Sequence, residues 1–231
     1  MKLLLTSAGI TNRSIRQALV DLLGKPIAQA KALCIPTAIY ALAGGTGYAW
    51  GTLKELELGW QAYGMLELTA LPTLLEEYWL PDVEAADALI VGGGNGYYLS
   101  YWLHQSGLAE KLPALLHDKV YLGVSAGSAI VTQSINVDRE VLEKTGVYYD
   151  DEYDESGVPN AASDKTLHLV DFTLRPHLNA DYFPIATLEN VAKWAAKVDV
   201  PLYAFDDQTA IKVVDGDVQV ISEGAWELFE K

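Results

Sequence analysis

A serine set between two glycines is the residue in this sequence with the clearest capacity for chemistry. Residues 120–131 read VYLGVSAGSAIV, an apolar run that leads into Gly123, Ser125 and Gly127 in the spacing G-x-S-x-G. That pattern is typical of a nucleophile elbow, where a sharp strand-to-helix turn lifts a serine hydroxyl above the end of a sheet. Gly123, Ala126 and Gly127 give the small neighbours that such a turn needs. The pattern predicts that Ser125 is a nucleophile; the alternative is that it only caps the following helix.

A second cluster of glycines ends the preceding apolar segment, ADALIV. It reads Gly92, Gly93, Gly94 and Asn95, a spacing that fits neither a dinucleotide-binding loop nor a P-loop. If the two strands are neighbours, this turn can direct an N–H at a substrate carbonyl. It would form an oxyanion hole together with the N–H of Ala126. We therefore assign Gly93, Gly94, Asn95 and Ala126 to oxyanion and substrate binding, the alternative being an ordinary tight turn.

A serine at its normal pKa needs a base to take its proton, and the chain has four histidines. His177 lies just after the apolar segment LVDFTL, in RPHLN, at a strand end where active-site residues of open α/β sheets gather. His104 lies inside a predicted helix and His117 at the end of another. We predict that His177 is the base, with His168 as the next candidate.

The base in turn needs an acid to orient its ring. Asp206 and Asp207 follow the apolar strand in LYAFDDQTAI. Adjacent residues of an extended chain point in opposite directions, so only one of them is expected to reach the histidine. Four further acids are candidates: Asp138, Asp150, Asp151 and Asp154. With one of those four the chain order would be Ser, Asp, His, as in α/β-hydrolases.

Short apolar runs alternate with segments of helical period, which predicts an α/β fold with a mainly parallel sheet. The predicted strands are Lys2–Thr6, Ala32–Ile35, Met65–Leu68, Ala88–Val91, Val120–Val124, His168–Leu174 and Leu202–Phe205. The predicted helices are Asn12–Leu23, Thr52–Ala62, Tyr97–Gln105, Leu108–His117, Ala126–Gln133 and Tyr182–Lys197. At the end of the chain, the alternating pattern around Asp215-Gly216 predicts a β-hairpin of Ala210–Val214 and Val218–Ile221.

Composition limits the classes of protein to consider. The 231 residues are 50% hydrophobic and 20% charged, which predicts a single domain over residues 1–231 with a sizeable core. The 16 basic against 31 acidic residues give a net charge of -15, which disfavours nucleic acid and anionic membranes as partners. The one cysteine, Cys34, cannot form an internal disulfide, and no signal peptide or membrane-spanning run stands out. We expect a cytoplasmic protein, monomeric or homodimeric, with no metal or other cofactor.

Two connections are longer than a βα unit usually needs. The first is Ala41–Gly51, in which Tyr48 and Trp50 stand among glycines and could form a wall over the site. The second is the acidic segment Asp138–Lys165, which is either a functional rim or a solvated excursion.

Five segments together resemble a known family. They are KALCIPTA, ALIVGGGN, GVSAGSAIV, RPHLN and AFDDQTAI, and their order along the chain is similar to that of the peptidase E family, the aspartyl dipeptidases of serine peptidase family S51. A more distant resemblance is to the cyanophycinases. The resemblance implies a three-layer fold, a parallel sheet with helices on both faces, similar to class I glutamine amidotransferase domains.

The resemblance also implies roles for particular residues. Ser125 looks like the nucleophile and His177 like the base. Asp207 stands where many relatives have glutamate, which makes it the third member, with Asp206 as the alternative. An aspartate is one methylene shorter than glutamate, which predicts that the third member is displaced or acts through water. Gly93, Gly94 and Ala126 look like the oxyanion turn.

One departure from the family bears on the substrate. Aspartyl dipeptidases read the substrate aspartate with an arginine downstream of the histidine, and this chain has no arginine after Arg175. A substrate carboxylate would have to meet Lys193, Lys212, Arg175 or neutral groups.

These observations predict a serine hydrolase that cleaves dipeptides or short peptides through an acyl-enzyme, with a broader or shifted preference at the N-terminal residue. The alternatives are a serine esterase, a cyanophycinase-like isopeptidase, or an inactive module that binds a small ligand.

Overall fold

A computed structural model describes residues 1–42, 57–135, 161 and 163–231. Within these ranges the strands are β1 Lys2–Thr6, β2 Lys31–Ile35, β3 Ala62–Met65, β4 Ala88–Val91, β5 Val120–Val124, β6 Thr173–Arg175, β7 Leu202–Phe205, β8 Thr209–Val214, β9 Asp217–Ser222 and β10 Trp226–Phe229. The α-helices are α1 Arg13–Leu23, α2 Leu80–Ala85, α3 Gly96–Gln105, α4 Leu108–Leu115, α5 Ala126–Ala129 and α6 Leu188–Ala195.

The main sheet has seven strands in the order β3-β2-β4-β5-β1-β8-β9. The first five run parallel, and β8 and β9 add an antiparallel edge. Leu3 and Leu5 of β1 pack in one core with residues of α3 and α4, while Leu4 packs in a second core with residues of α1. Because side chains alternate between the faces of a strand, helices cover both faces. The predicted three-layer α/β fold is confirmed.

Several predicted elements agree closely with the structure, among them β1, β4, β5 and β7. The predicted C-terminal hairpin is also present, with Asp215 and Gly216 at φ +50° and +95° in its turn. The predicted strand Met65–Leu68 is wrong except for Met65, because β3 spans Ala62–Met65 and Leu68 already begins a 3₁₀ turn. Residues 52–56 of the predicted helix Thr52–Ala62 lie outside the described residues, and its last residue belongs to β3.

A second sheet of three strands, in the order β10-β7-β6, stands beside the main one. The sequence pattern placed β7 in the main sheet and did not predict β10. The predicted strand His168–Leu174 is wrong for most of its length, because only Thr173–Arg175 forms β6. The N–H groups of Leu167 and Leu169 donate instead to the carbonyls of Ile130 and Val131. Those carbonyls follow α5, which therefore ends at Ala129 and not at the predicted Gln133.

The helix α6 is shorter than the predicted segment Tyr182–Lys197. It begins at Leu188, because Thr187 caps it by accepting a hydrogen bond from the N–H of Asn190. Pro184 stands in the preceding segment, where its ring favours a turn over a helix interior. Tyr182 therefore lies in a connection and not on the helix. No helix in the described part of the chain has an apolar stretch long enough to cross a bilayer.

Candidate active site

Ser125 stands at the bend between β5 and α5. Its φ of +51° and ψ of -111° are strained values for a residue with a side chain. Its N–H donates to the carbonyl of Thr6, and its own carbonyl accepts from the N–H groups of Ser128 and Ala129, so backbone bonds hold it on both sides. The Ser125 side chain makes no capping hydrogen bond to the helix. The hydroxyl is therefore left to interact outside the turn.

The glycines on either side of Ser125 are required by backbone packing. A Cβ on Gly123 would lie 2.7 Å from the carbonyl oxygen of Gly127, and a Cβ on Gly127 would lie 2.0 Å from the carbonyl oxygen of Val91. Both distances are far below van der Waals contact, and the atoms that would be met are backbone. The elbow thus packs directly onto the end of β4, which is paired with β5.

The GGGN turn lies against the elbow, as expected for neighbouring strands. A Cβ on Gly93 would lie 3.1 Å from the Cβ of Ser125, and Gly94 packs on the backbone of Ala38 with φ +135°. Gly94 and Ala126 line the same cleft as Ser125. Asn95 caps α3, since its side chain accepts from the N–H of Tyr98 at 2.7 Å.

His177 reaches Ser125 from the other side. The Nε2 atom of His177 lies 2.8 Å from the Oγ of Ser125. His177 follows β6, is only 9% exposed, and has φ +62°. Its backbone N–H donates to the Oγ of Ser7 at 2.8 Å, which helps to hold this left-handed conformation. The imidazole is thus fixed next to the hydroxyl.

Asp207 completes a chain of hydrogen bonds. Its Oδ1 lies 2.8 Å from the Nδ1 of His177, so the short side chain makes a direct contact. The prediction that the third member is displaced or acts through water is therefore wrong. Asp206 faces the other way: its carboxylate accepts from the N–H groups of Gln208 and Ala225 and from the hydroxyl of Thr209. Of the two adjacent acids, Asp207 therefore binds the histidine and Asp206 stabilises a turn.

The environment of Asp207 favours its charged form. Burial raises the pKa of Asp207, but hydrogen bonds from His177, Ser7 and Tyr182 outweigh burial and lower the pKa to about 2, against an ordinary 3.8. A charged carboxylate accepts a proton-bearing Nδ1, which leaves the lone pair of Nε2 facing the hydroxyl of Ser125.

Two hydroxyl groups at the site were missed by sequence reasoning. The Oγ of Ser7 donates to the Oδ1 of Asp207 at 2.5 Å, and the Oη of Tyr182 donates to its Oδ2. Ser7 directly follows β1, the neighbour of β5, so the rule that active-site residues gather at strand ends could have found it. Tyr182 gave no such signal, because its position depends on the course of a connection.

A cleft of about 110 Å³ opens beside these residues. Its described lining includes Ser125, His177, Gly94, Phe183, Trp194 and Arg175. Arg175 is the one lysine or arginine among the described lining residues, and its guanidinium lies 4.4 Å from the ring centre of Trp194. The cleft therefore joins apolar surface to one positive charge next to the serine.

The sequence profile of Peptidase family S51 matches residues 3–221. The chain belongs to peptidase family S51. Family membership supports a peptidase function, as the five sequence segments implied. No curated protein matches the chain.

Two solved structures share the fold of this S51 chain. A candidate peptidase E protein from Listeria monocytogenes EGD-e is 22% identical and has a TM-score of 0.71, and the match covers 96% of this chain and 98% of that one. A peptidase from an acI-B1 Actinobacterium is 18% identical with a TM-score of 0.67, covering 99% and 90%. At these identities the likeness concerns the fold.

The other described histidines considered in the sequence analysis of this S51 chain make contacts away from Ser125. The ring nitrogens of His168 contact Gln133 and Thr166, and the Nδ1 of His104 contacts a carbonyl within its own helix. The remaining sequence candidates lie outside the described residues: Asp138, Asp150, Asp151, Asp154, Tyr48 and Trp50. In the described ranges, no group of three or more His, Cys, Asp or Glu side chains could hold a metal ion.

Proposed function

We propose that this chain is a serine peptidase that hydrolyses dipeptides or short peptides with Ser125 as nucleophile, His177 as base and Asp207 as the orienting acid. The observation that carries the proposal is the unbroken line of contacts from the Oγ of Ser125 to Nε2, and from Nδ1 to the Oδ1 of Asp207, each 2.8 Å long. Membership of peptidase family S51 supports the reaction class.

In the first half of the reaction, the Nε2 of His177 takes the hydroxyl proton as the Oγ of Ser125 attacks the peptide carbonyl. The carbonyl oxygen becomes an oxyanion, for which the N–H groups of Ala126 and the GGGN turn are the candidate donors. The imidazolium then gives its proton to the leaving amine, and an acyl-enzyme remains on Ser125. Asp207 stays ionised throughout, because its pKa of about 2 is far below working pH.

In the second half, His177 takes a proton from water, whose oxygen attacks the acyl carbonyl, and returns that proton to the Oγ of Ser125. One imidazole can serve both halves because it alternates between base and acid.

The cleft suggests how the substrate is read. Neither Lys193 nor Lys212 is among the described residues that line the cleft. Lys193 forms an exposed ion pair with Glu189 instead, and Lys212 lies on β8. Arg175 is therefore the cation that we propose meets a substrate carboxylate. The Arg175 guanidinium stacks on the ring of Trp194, which limits how it can approach a substrate carboxylate. We therefore propose a substrate preference broader than N-terminal aspartate alone.

The test is mass-spectrometric profiling of a dipeptide library, with acyl esters and branched aspartyl polymer included, using the parent chain and Ser125→Ala side by side. Dipeptide cleavage by the parent alone is the expected result. Turnover of esters without dipeptides would change the substrate class and leave the nucleophile in place. Equal labelling of both proteins by a fluorophosphonate, or of neither, would rule out a serine enzyme.

A further inference from the structure

The mechanism above leaves two hydroxyl groups without a role. Ser7 is fully buried, and Tyr182 contacts both the Nδ1 of His177, at 2.9 Å, and the second oxygen of Asp207. These two residues come from segments 175 positions apart in the chain, and both converge on one carboxylate. Such convergence on a single acid is more than packing requires.

Each hydroxyl has one proton, so its use can be traced. The Oγ of Ser7 accepts the backbone N–H of His177, and its own proton points to the Oδ1 of Asp207. The phenol of Tyr182 gives its proton to Oδ2. With the Nδ1–H of His177, the carboxylate receives three donors, and both of its oxygens are engaged.

The phenol can act as a donor over the whole working range of pH. Burial, followed by the neighbouring Asp207 carboxylate, raises the pKa of Tyr182 well above its ordinary value. Tyr182 therefore keeps its proton at neutral and mildly alkaline pH.

We propose, on the basis of the function proposed above, that Tyr182 and Ser7 are positioning residues. Their hydroxyls bind both oxygens of Asp207, hold the carboxylate at the Nδ1 side of His177, and withdraw part of the negative charge of the carboxylate. A short acid is then kept in place although it lacks the reach of a glutamate. Ser7 has a second task, since it also anchors the backbone of His177.

Among the described residues, few charged or titratable groups surround the pair of His177 and Asp207. Asp207 and Tyr182 face the imidazole directly, and Arg175 lines the same cleft two residues before His177. Asp206 faces away into its turn. Loss of a donor to Asp207 should therefore act on the imidazole chiefly through the carboxylate.

The first experiment measures the pH profile of kcat/KM for Tyr182→Phe, which removes one oxygen from a half-exposed side chain. We expect kcat to fall about 10-fold with KM within about twofold, because a hydrogen bond to a charged group is lost. The acid limb should move to higher pH, since a carboxylate with one donor fewer stabilises the imidazolium more strongly. Tyr78→Phe, on an exposed tyrosine outside the site, should match the parent.

A second variant and a second readout make the outcome decisive. Ser7→Ala should also lower kcat, by about 10-fold or more, because it frees the carboxylate and the backbone of His177 together. Titration of His177 by NMR on histidine-labelled protein, assigned with His177→Ala, reports the same shift without any turnover. If the parent cleaves no peptide but the titration shifts upward in Tyr182→Phe, the proposed function fails while the positioning role stands.

An unchanged acid limb and an unchanged His177 titration in both variants would overturn the positioning role. A shift of either to lower pH would support it, because the carboxylate then moves away once a donor is lost. That shift would overturn only the claim that the hydroxyls withdraw charge from the carboxylate.

Discussion

The two sides of the candidate site are built in different ways. On the nucleophile side, Ser125 is fixed by backbone hydrogen bonds and by glycines that allow main chain to touch main chain. On the acid–base side, His177 and Asp207 are held by side-chain hydroxyls from segments far apart in the chain. Both sides join segments that are far apart in the chain, the first through main-chain contacts and the second through side chains.

This difference shows where each kind of substitution should act. An added methyl group on the nucleophile side meets backbone that cannot move, so it should cost stability. A lost oxygen on the acid–base side leaves the fold intact, so it should cost turnover.

The largest effect is expected from the loss of either of the two proposed reacting groups. Ser125→Ala or His177→Ala should lower kcat by about 10⁴-fold or more, because the two act as a unit. The double variant should be little worse than either single one. Steady-state kinetics on a cleaved dipeptide checks this, and activity that survives in His177→Ala would remove His177 from its role.

A smaller loss is expected at the acid. Asp207→Asn should lower kcat by about 10³-fold, since the amide no longer favours the protonated Nδ1. Its matched control is the neighbour: Asp206→Asn should keep kcat within about twofold and lower Tm by a few degrees, because its carboxylate holds the turn before β8. If the two variants exchange these effects, the assignment of the acid is wrong.

On the nucleophile side, Gly127→Ala should destabilise the fold by about 3 kcal/mol, because its Cβ would lie 2.0 Å from the Val91 carbonyl oxygen. Gly64→Ala is the control, since there the nearest atom is the flexible end of Leu33 at 3.2 Å. That change should stay within about 1 kcal/mol. Urea unfolding measures both, and equal values would mean that the elbow tolerates bulk.

The smallest expected effect is a dependence of stability on pH. The pKa of Asp207 is lowered on folding from 3.8 to about 2, so its stabilisation is complete above the unfolded value and is lost as pH falls through the folded one. Between pH 5 and about pH 2, the free energy of unfolding of the parent should fall by on the order of 1–2 kcal/mol more than that of Asp207→Asn. Unfolding free energies of both proteins across this range provide the measurement, and parallel curves would contradict it.

The sequence was most informative where structure is local. The strand–turn–helix around Ser125 could be predicted because glycine spacing and apolar runs act over a few residues. The second sheet could not, because β6 is three residues long and the residues before it, Leu167 and Leu169, donate to the segment after α5 instead of forming a strand. Tyr182 was missed because a helical period continues through it, although the helix begins only at Leu188, after its cap Thr187.

The three side chains of the proposed triad do not share one sheet. Ser125 follows a strand of the seven-stranded sheet, whereas His177 and Asp207 follow β6 and β7 of the smaller one. One face of the smaller sheet packs with α6 in a cluster of its own, but Leu174 and Phe205 lie in the same core as Leu3 and Leu5. The 2.8 Å between hydroxyl and imidazole therefore depends on a core that the two sheets share. We expect peptide cleavage and the larger sheet to be lost together, in one thermal transition.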